Sequence, residues 1–419
     1  MFDQLFPRAE TRLRHITSQL LKERLEYLQH CAGKGYSPTT LRPLATDLLL
    51  IQKVLALPDS SHKLDPTTVK ATIEKWASRE PRYHSYKNGR RGREYLAQRA
   101  LRWLGFMDRL QMASREANAY SALIADFATY MRLERGLSET TIANTCWQAE
   151  DFLKWYFRNH VSLSDITIAE IDEAVARKGR DNGYSRISVK VYASGIRSFL
   201  RHAERKGWCP RGLADIVESP RVYQDESLPS GPSWEDVQRL IATADTRTPR
   251  DLRDRAMLLL LAVYGLRSGE VRVLKLEDLD WEKGLIWVPR KKGRRRQCYP
   301  LAETVGEAIL QYLEQGRPRS TPYREIFLTV SAPIQPFKAT GSVWTMVAKR
   351  LRPLGIPLKH HGPHALRHAC ATHLRAEGLS LKEIGDHLGH RLAKVTAAYA
   401  KVDIAALRQV ADLSLGGLA

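Results

Sequence analysis

The stretch PHALRHACATHLRAEGLSLKEIGDHLGHRLAKVTAAY, Pro363 to Tyr399, packs two helix starts and two helix stops into one short segment, which allows little besides two short helices and a third beginning. Proline at 363 suits a first helical turn, where its missing N–H would have no partner anyway. Leu366, Cys370 and Leu374 then recur on one stripe, and Gly378 ends the run. Ser380 with Glu383 three residues later is a capping box, followed by apolar Leu381, Ile384 and Leu388 and by a second stop at Gly389. His390 is thereby held just beyond a helix end. His364 and Arg367, three apart, share one helix face. Tyr399 falls on a third helical pattern with Val395 and Val402, where a tyrosine also serves as core filler.

Two histidines, an arginine and a tyrosine suit the attack of a phenolic oxygen on a phosphodiester. The transition state spreads negative charge over the non-bridging oxygens, and a guanidinium fork binds two of them at once. Histidines donate hydrogen bonds there or move protons. The tyrosine becomes a covalent carrier that keeps the phosphate bond energy in a reversible ester. No metal, nucleotide or other cofactor is needed. The scheme does require a second arginine and a proton donor for the departing oxygen.

Both stand upstream, in YGLRSGEVRVLKLEDLDWEKGLIWVPRKKGRRRQCYPL, Tyr264 to Leu301. This run resembles the first active-site box and following hairpin of the tyrosine recombinase (phage integrase) family, whose order is Arg, Lys, His-x-x-Arg, His or Trp, Tyr. The chain supplies Arg267, Lys292, His364, Arg367, His390 and Tyr399 in that order, with Leu-Gly-His nine residues before the tyrosine. The resemblance implies that Arg267 and Arg367 clamp the scissile phosphate and that Lys292, or Lys291 beside it, protonates the leaving 5′ oxygen. It makes His364 a helper in proton transfer, His390 a phosphate donor and Tyr399 the nucleophile.

The charge balance agrees with a polyanionic partner: 66 Lys and Arg oppose 46 Asp and Glu, a formal +20. An apolar content of 43% over 419 residues is enough for two or three cores. No apolar run is long enough to span a membrane, and MFDQLFPRAETRLRH does not read as a secretory leader. The five cysteines, at 31, 146, 209, 298 and 370, form no zinc pair and fit reduced thiols in a bacterial cytoplasm, with the protein on the nucleoid.

The expected fold is mainly α and multidomain: helical DNA-binding modules, then an α-rich catalytic domain with a small β-hairpin. Residues 1–112 form a first helical module, with helices over Ala9–Cys31, Thr39–Leu57, Pro66–Ala77 and Arg93–Gln111 and a basic loop, KNGRRGR, at Lys87–Arg93. Residues 113–212 repeat the plan, GYSPTTL at Gly35–Leu41 being echoed by GLSETTI at Gly136–Ile142. That second module resembles the core-binding domain of Xer-type recombinases. Lys154, Arg158, Arg186, Lys190 and Arg197 are its candidate backbone contacts. The first module is either an extra DNA-binding or arm-binding domain or a surface for partner recombinases.

Residues 213–232 lose periodicity and gain Pro, Ser and Gly, as a linker does. The catalytic domain, 233–419, opens on Ser233 as a cap, continues in a buried helix over Asp251–Tyr264 and reaches Arg267 beyond Gly265, with Glu270 as a plain surface partner in the blander reading. Leu285–Val288 and Gln297–Leu301 read as strands around PRKKGRRR with Gly293 at the tip, and Lys291, Arg294, Arg295 and Arg296 are further DNA-contact candidates. After the tyrosine, Val402, Ile404, Leu407, Val410 and Leu413 form an apolar stripe expected to dock on a neighbouring protomer.

His364 and His368 have the spacing of a helix-borne zinc pair, but ALR between them lacks the glutamate of an HExxH peptidase. The remaining rivals are a type IB topoisomerase, a non-catalytic DNA-end-binding protein on the same fold, and chromosome dimer resolution as the biological role. The favoured reading is a recombinase of a mobile element. It cuts DNA through a 3′-phosphotyrosyl bond and a Holliday junction, as a homo-tetramer on paired sites or with related recombinases.

Overall fold

Apolar periods punctuated by glycine, Ser-Pro and capping-box signals give a chain built of helices around one small sheet. The computed structural model describes residues 1–57, 63–79, 90–111, 120–222, 231–290, 295–319, 321–390 and 396. These divide into two compact units, one drawn from Met1–Lys63, Thr67–Arg109 and Ser227–Ala419, the other from Leu64–Pro66 and Leu110–Glu226.

In the first unit the chain begins with α1 (Phe2–Leu5), α2 (Ala9–Ile16), α3 (Leu21–Gly33), α4 (Pro38–Val54), α5 (Pro66–Arg79) and α6 (Arg90–Phe106). The helix expected over Ala9–Cys31 is thus two helices. Thr17 and Ser18 turn their hydroxyls back onto Leu13 O and Arg14 O at 2.9 and 2.5 Å, and Leu20 takes φ +52°, which no helix continues through. Arg24 fills the break: buried, it donates to the carbonyls of His15, Ser18 and Gln19. Leu28, Leu48, Ile51, Ala100 and Trp103 are buried at the centre of these helices. Gly35, at φ +83°, lies against Ile334, whose N–H donates to Lys34 O at 3.1 Å. Of the basic loop, residues 87–89 lie outside the described residues, and Arg90–Arg93 open α6.

The second unit carries α7 (Ser121–Leu133), α8 (Glu139–Tyr156), α9 (Ile168–Arg180) and α10 (Arg186–Lys206) around Phe127, Phe152, Tyr192, Ile196 and Phe199. The echo between GYSPTTL and GLSETTI has a structural counterpart. Each glycine takes positive φ, +83° and +56°, and each serine two residues later is an extended N-cap. Regular structure persists past residue 213, where a linker is expected. Leu213–Ile216 form α11, and Leu213, Ala214 and Val217 are buried in the core of this unit.

The C-terminal part follows with α12 (Trp234–Ala242), capped as expected by Ser233 Oγ accepting from Asp236 N at 3.1 Å, and α13 (Pro249–Val263). From α13, Ala256, Met257, Leu258, Leu260 and Leu261 are buried in the core of this part. After α14 (Ser268–Val271) come β1 (Leu279–Asp280), β2 (Leu285–Arg290) and β3 (Arg295–Pro300), an antiparallel sheet in that order, one strand more than the sequence pattern predicts. β2 pairs β3 from Leu285 opposite Pro300 to Arg290 opposite Arg295, and the tip expected at Gly293 lies outside the described residues. Then come α15 (Glu303–Gln311), α16 (Thr340–Leu351), α17 (Pro363–Ala376) and α18 (Leu381–Leu388). The pair α17 and α18 is as expected: Ser380 and Glu383 form the capping box, and Gly378 and Gly389 take φ +89° and +66°. No described helix is long and apolar enough to cross a membrane.

Candidate active site

Gly265, at φ +58°, ends α13 and turns the chain so that Arg267 becomes the N-cap of α14. The next turn returns Glu270 to the cap: its carboxylate accepts from Arg267 N at 2.8 Å and from Arg267 Nη1 at 3.0 Å. The pairing of Arg267 with Glu270 is therefore real, yet the arginine side chain is 44% exposed and the glutamate 4%. The buried partner holds; the arginine faces outward.

Arg367 arrives from α17 and is 2% exposed. Its Nη1 donates to Gly265 O at 2.5 Å and its Nη2 to Leu388 O at 2.8 Å. Those carbonyls close α13 and α18, where helix ends leave acceptors without intrahelical donors and carry partial negative charge. One guanidinium thus fastens three helices. It does so two residues in sequence from Arg267 on one side and two from His390 on the other.

His364, one turn before Arg367, is exposed and lies beside His368 with ring centroids 5.7 Å apart. His390 donates its backbone N–H to Gly385 O at 2.8 Å, and its Nδ1 shares a hydrogen bond of 2.8 Å with Thr396 Oγ1. Although His364 still reaches solvent, partial desolvation, then Arg367 and Arg267, hold its imidazole below the ordinary value. Burial followed by Arg367, Arg267 and Arg290 pushes His390 down to about 4, and burial followed by His364 and Arg367 does the same to His368. The guanidinium groups beside these imidazoles oppose their protonation, because a like charge nearby disfavours the charged form.

Sequence reasoning passed over the residues that brace this corner. Arg290 ends β2 and is 9% exposed, with Nη1 2.7 Å from Glu270 Oε2. Its Nε and Nη2 donate to Gln297 Oε1 at 3.0 and 2.8 Å, and Nη2 also reaches Tyr299 Oη. Gln297 Nε2 donates to Asp386 O at 2.8 Å, and Tyr299 Oη to His387 O. The signal for Arg290 was strand alternation: it shares a face with buried Ile286 and Val288, so an arginine there needs internal partners. Burial raises the Glu270 pKa, but Arg290 and Arg267 outweigh it and hold the carboxyl below its ordinary value.

Arg267, His364, Arg367 and His390 thus meet at one corner. Lys291, Lys292, Arg294 and Tyr399, and the tail stripe from Val402 to Leu413, lie outside the described residues. Arg295 is described only by its place in β3, and Arg296 pairs with Asp278 and lies over the Trp287 ring. Lys154, Arg158, Arg186 and Lys190 are exposed on the second unit, whereas half-buried Arg197 donates to Val217 O at 2.5 Å. Among the described residues no three His, Cys, Asp or Glu side chains form a metal-holding group.

The chain matches known proteins over these same parts. Residues 233–405 match the phage integrase family, and residues 124–207 the phage integrase N-terminal SAM-like domain. A candidate integrase/recombinase of Sinorhizobium fredii, y4rF, is 36% identical over 314 residues, 74% of this chain and 73% of that one. Tyrosine recombinase XerD of Listeria innocua serovar 6a is 33% identical over 292 residues, 69% of this chain and 96% of that protein. A lambda integrase tetramer bound to a Holliday junction shares the fold at TM-score 0.52 and 18% identity, covering 74% of this chain and 87% of that one.

Proposed function

This chain belongs to the tyrosine recombinase (phage integrase) family, and we propose that it recombines DNA sites of a mobile element without metal or other cofactor, through a 3′-phosphotyrosyl intermediate and a Holliday junction. The observation that carries this reading is the meeting of Arg267, His364, Arg367 and His390 from three separate segments at one corner. In this reading Tyr399 Oη attacks the scissile phosphorus and the bond to the 5′ oxygen breaks. The phenolic proton passes to neutral His364, and the leaving oxygen takes a proton from Lys292. Arg267 and Arg367 balance the charge on the non-bridging oxygens, with His390 as a further donor. A free 5′ hydroxyl from a second duplex then reverses the step and displaces the tyrosine.

The proposed division of labour gives cleavage to 233–419 and the opposite grip on the duplex to 113–212, through Lys154, Arg158, Arg186 and Lys190. The match to XerD takes in 69% of this chain and 96% of that protein, and an N-terminal module beyond the compact Xer plan favours a mobile-element role over dimer resolution. Four protomers on paired sites, with each apolar tail docked on a neighbour, complete the assembly; the tetrameric lambda integrase on a junction supports that number by analogy of fold.

The test is to incubate the purified protein, and a Tyr399→Phe version, with a library of DNA from its own genetic neighbourhood. A detergent-stable protein–DNA adduct with wild type alone is expected, and its DNA identifies the site. An adduct that survives Tyr399→Phe overturns the assignment, and binding without any adduct favours a DNA-end-binding protein.

A further inference from the structure

The bracket behind the site joins two of its members that sequence separates widely. Glu270 Oε2 accepts at once from Arg267 N and from Arg290 Nη1, at 2.8 and 2.7 Å, while Glu270 Oε1 takes Arg267 Nη1 at 3.0 Å. On its other side Arg290 holds Gln297 Oε1 and Tyr299 Oη, and these two donate to the carbonyls of Asp386 and His387 in the last turn of α18. That turn ends at Gly389, φ +66°, where a Cβ would lie 2.9 Å from Arg290 Cζ and from Gln297 Oε1. His390 is the next residue.

Every donor and acceptor in the chain of contacts has one sense. The Gln297 amide accepts from Arg290 with its oxygen and donates to the helix with its nitrogen. Tyr299 accepts from Arg290 and donates to His387 O; burial pushes its pKa up to about 12, so it keeps the proton that this requires. A buried arginine on a strand face would otherwise be costly. Here Nε, Nη1 and Nη2 each have an internal acceptor, and only 9% of the side chain is exposed.

We infer that Arg290 is a positioning residue for the strand-cutting reaction, fixing Arg267 and His390 relative to each other by bridging Glu270 to the Gln297–Tyr299 pair. The inference rests on the recombinase reading above. It predicts a loss in the rate of cleavage without a loss of DNA affinity, because each guanidinium nitrogen is already held by an internal acceptor.

The experiment uses the full-length protein and the duplex recovered by wild type in the trapping test. Single-turnover cleavage and Kd are measured for Arg290→Met and Arg290→Lys, each checked for folding by thermal melting. Arg290→Met should leave Kd within about twofold and slow cleavage about 10- to 100-fold, the scale of a small misplacement of reacting groups. Arg290→Lys, whose single point charge reaches Glu270 but not all three partners, should fall between, and it carries the test if Arg290→Met does not fold. In a protein already bearing Arg267→Lys and His390→Gln, adding Arg290→Met should cost less than about threefold, since the groups it positions are already compromised. A full 10- to 100-fold loss in that background means a general weakening of the fold and overturns the inference, as does unchanged cleavage in both single variants. Wild type that forms no adduct at all instead ends the recombinase reading, and this inference with it.

Discussion

Arg367 is 2% exposed with both arms of its guanidinium on helix-end carbonyls, whereas Arg267 keeps 44% of its side chain in solvent and leans on one buried carboxylate. Both serve the same corner. The first is a strut whose removal strands two buried carbonyls, and the second is a presented cation whose support, Glu270 with Arg290, lies behind it. An anion site therefore has two separable needs here: a frame held by desolvated hydrogen bonds, and a charge left free enough to meet a ligand. Variants of the two arginines should differ in what they cost the fold.

The largest difference is expected between Arg367→Ala and Arg267→Ala. Each should lower single-turnover cleavage by about 100- to 1000-fold, the usual loss for one transition-state donor. In chemical denaturation Arg367→Ala should cost about 3 kcal/mol, because charged hydrogen bonds to buried carbonyls are lost. Arg267→Ala should cost less than about 1 kcal/mol, as expected of a partly exposed ion pair. Equal destabilisation would erase the distinction.

Next in size is Gly265→Ala, on the frame side. Gly265 has φ +58°, and a Cβ would press on Leu388 and lie 3.3 Å from Cys370 Sγ. A loss of about 2 kcal/mol is expected from left-handed strain plus overpacking, with DNA affinity nearly unchanged. A variant as stable as wild type would show that the junction of α13 with α17 and α18 is looser than the frame requires.

A smaller effect is expected from pH. The folded-state values of His368 and His390, each about 4, lie below the ordinary 6.5 that applies when the chain unfolds. The unfolded chain therefore binds more protons between those values. The corresponding stability is complete above pH 6.5 and is lost as pH falls through 6.5 toward 4. Melting temperature should decline over that window; His390→Gln should flatten the decline, and Arg267→Ala, which removes one of the charges holding His390 down, should flatten it less. The smallest effect is expected away from the site: Lys154→Ala or Arg158→Ala should weaken binding to all sequences alike and reduce the salt dependence of log K by about one unit. An unaltered salt slope would remove those residues from the interface.

Much of this was legible in the residues because the signals are local. Proline, glycine and the Ser380–Glu383 box fixed α17 and α18 to within a residue or two. The resemblance to the recombinase motif order is what grouped Arg267 with His364, Arg367 and His390. What local pattern did not carry was the break after Ile16, where back-bonded hydroxyls and Arg24 stop a helix whose apolar period runs on. The reach of Arg197 to Val217 O, and of Arg290 across to Glu270, depends on which distant backbone arrives beside each side chain. The expected strand stopped at Val288; carried two residues further, its alternation would have put Arg290 on the inward face, but its partners were a matter of tertiary structure.

The central claim is that Tyr399 becomes linked to DNA at this corner. Protease digestion of the trapped wild-type adduct followed by mass spectrometry of the nucleotide-bearing peptide tests it most directly. The expected result is one peptide containing Tyr399, joined through its phenolic oxygen to a 3′ phosphate, with a free 5′ hydroxyl on the released strand. A linkage at another residue, or to a 5′ phosphate, would contradict it.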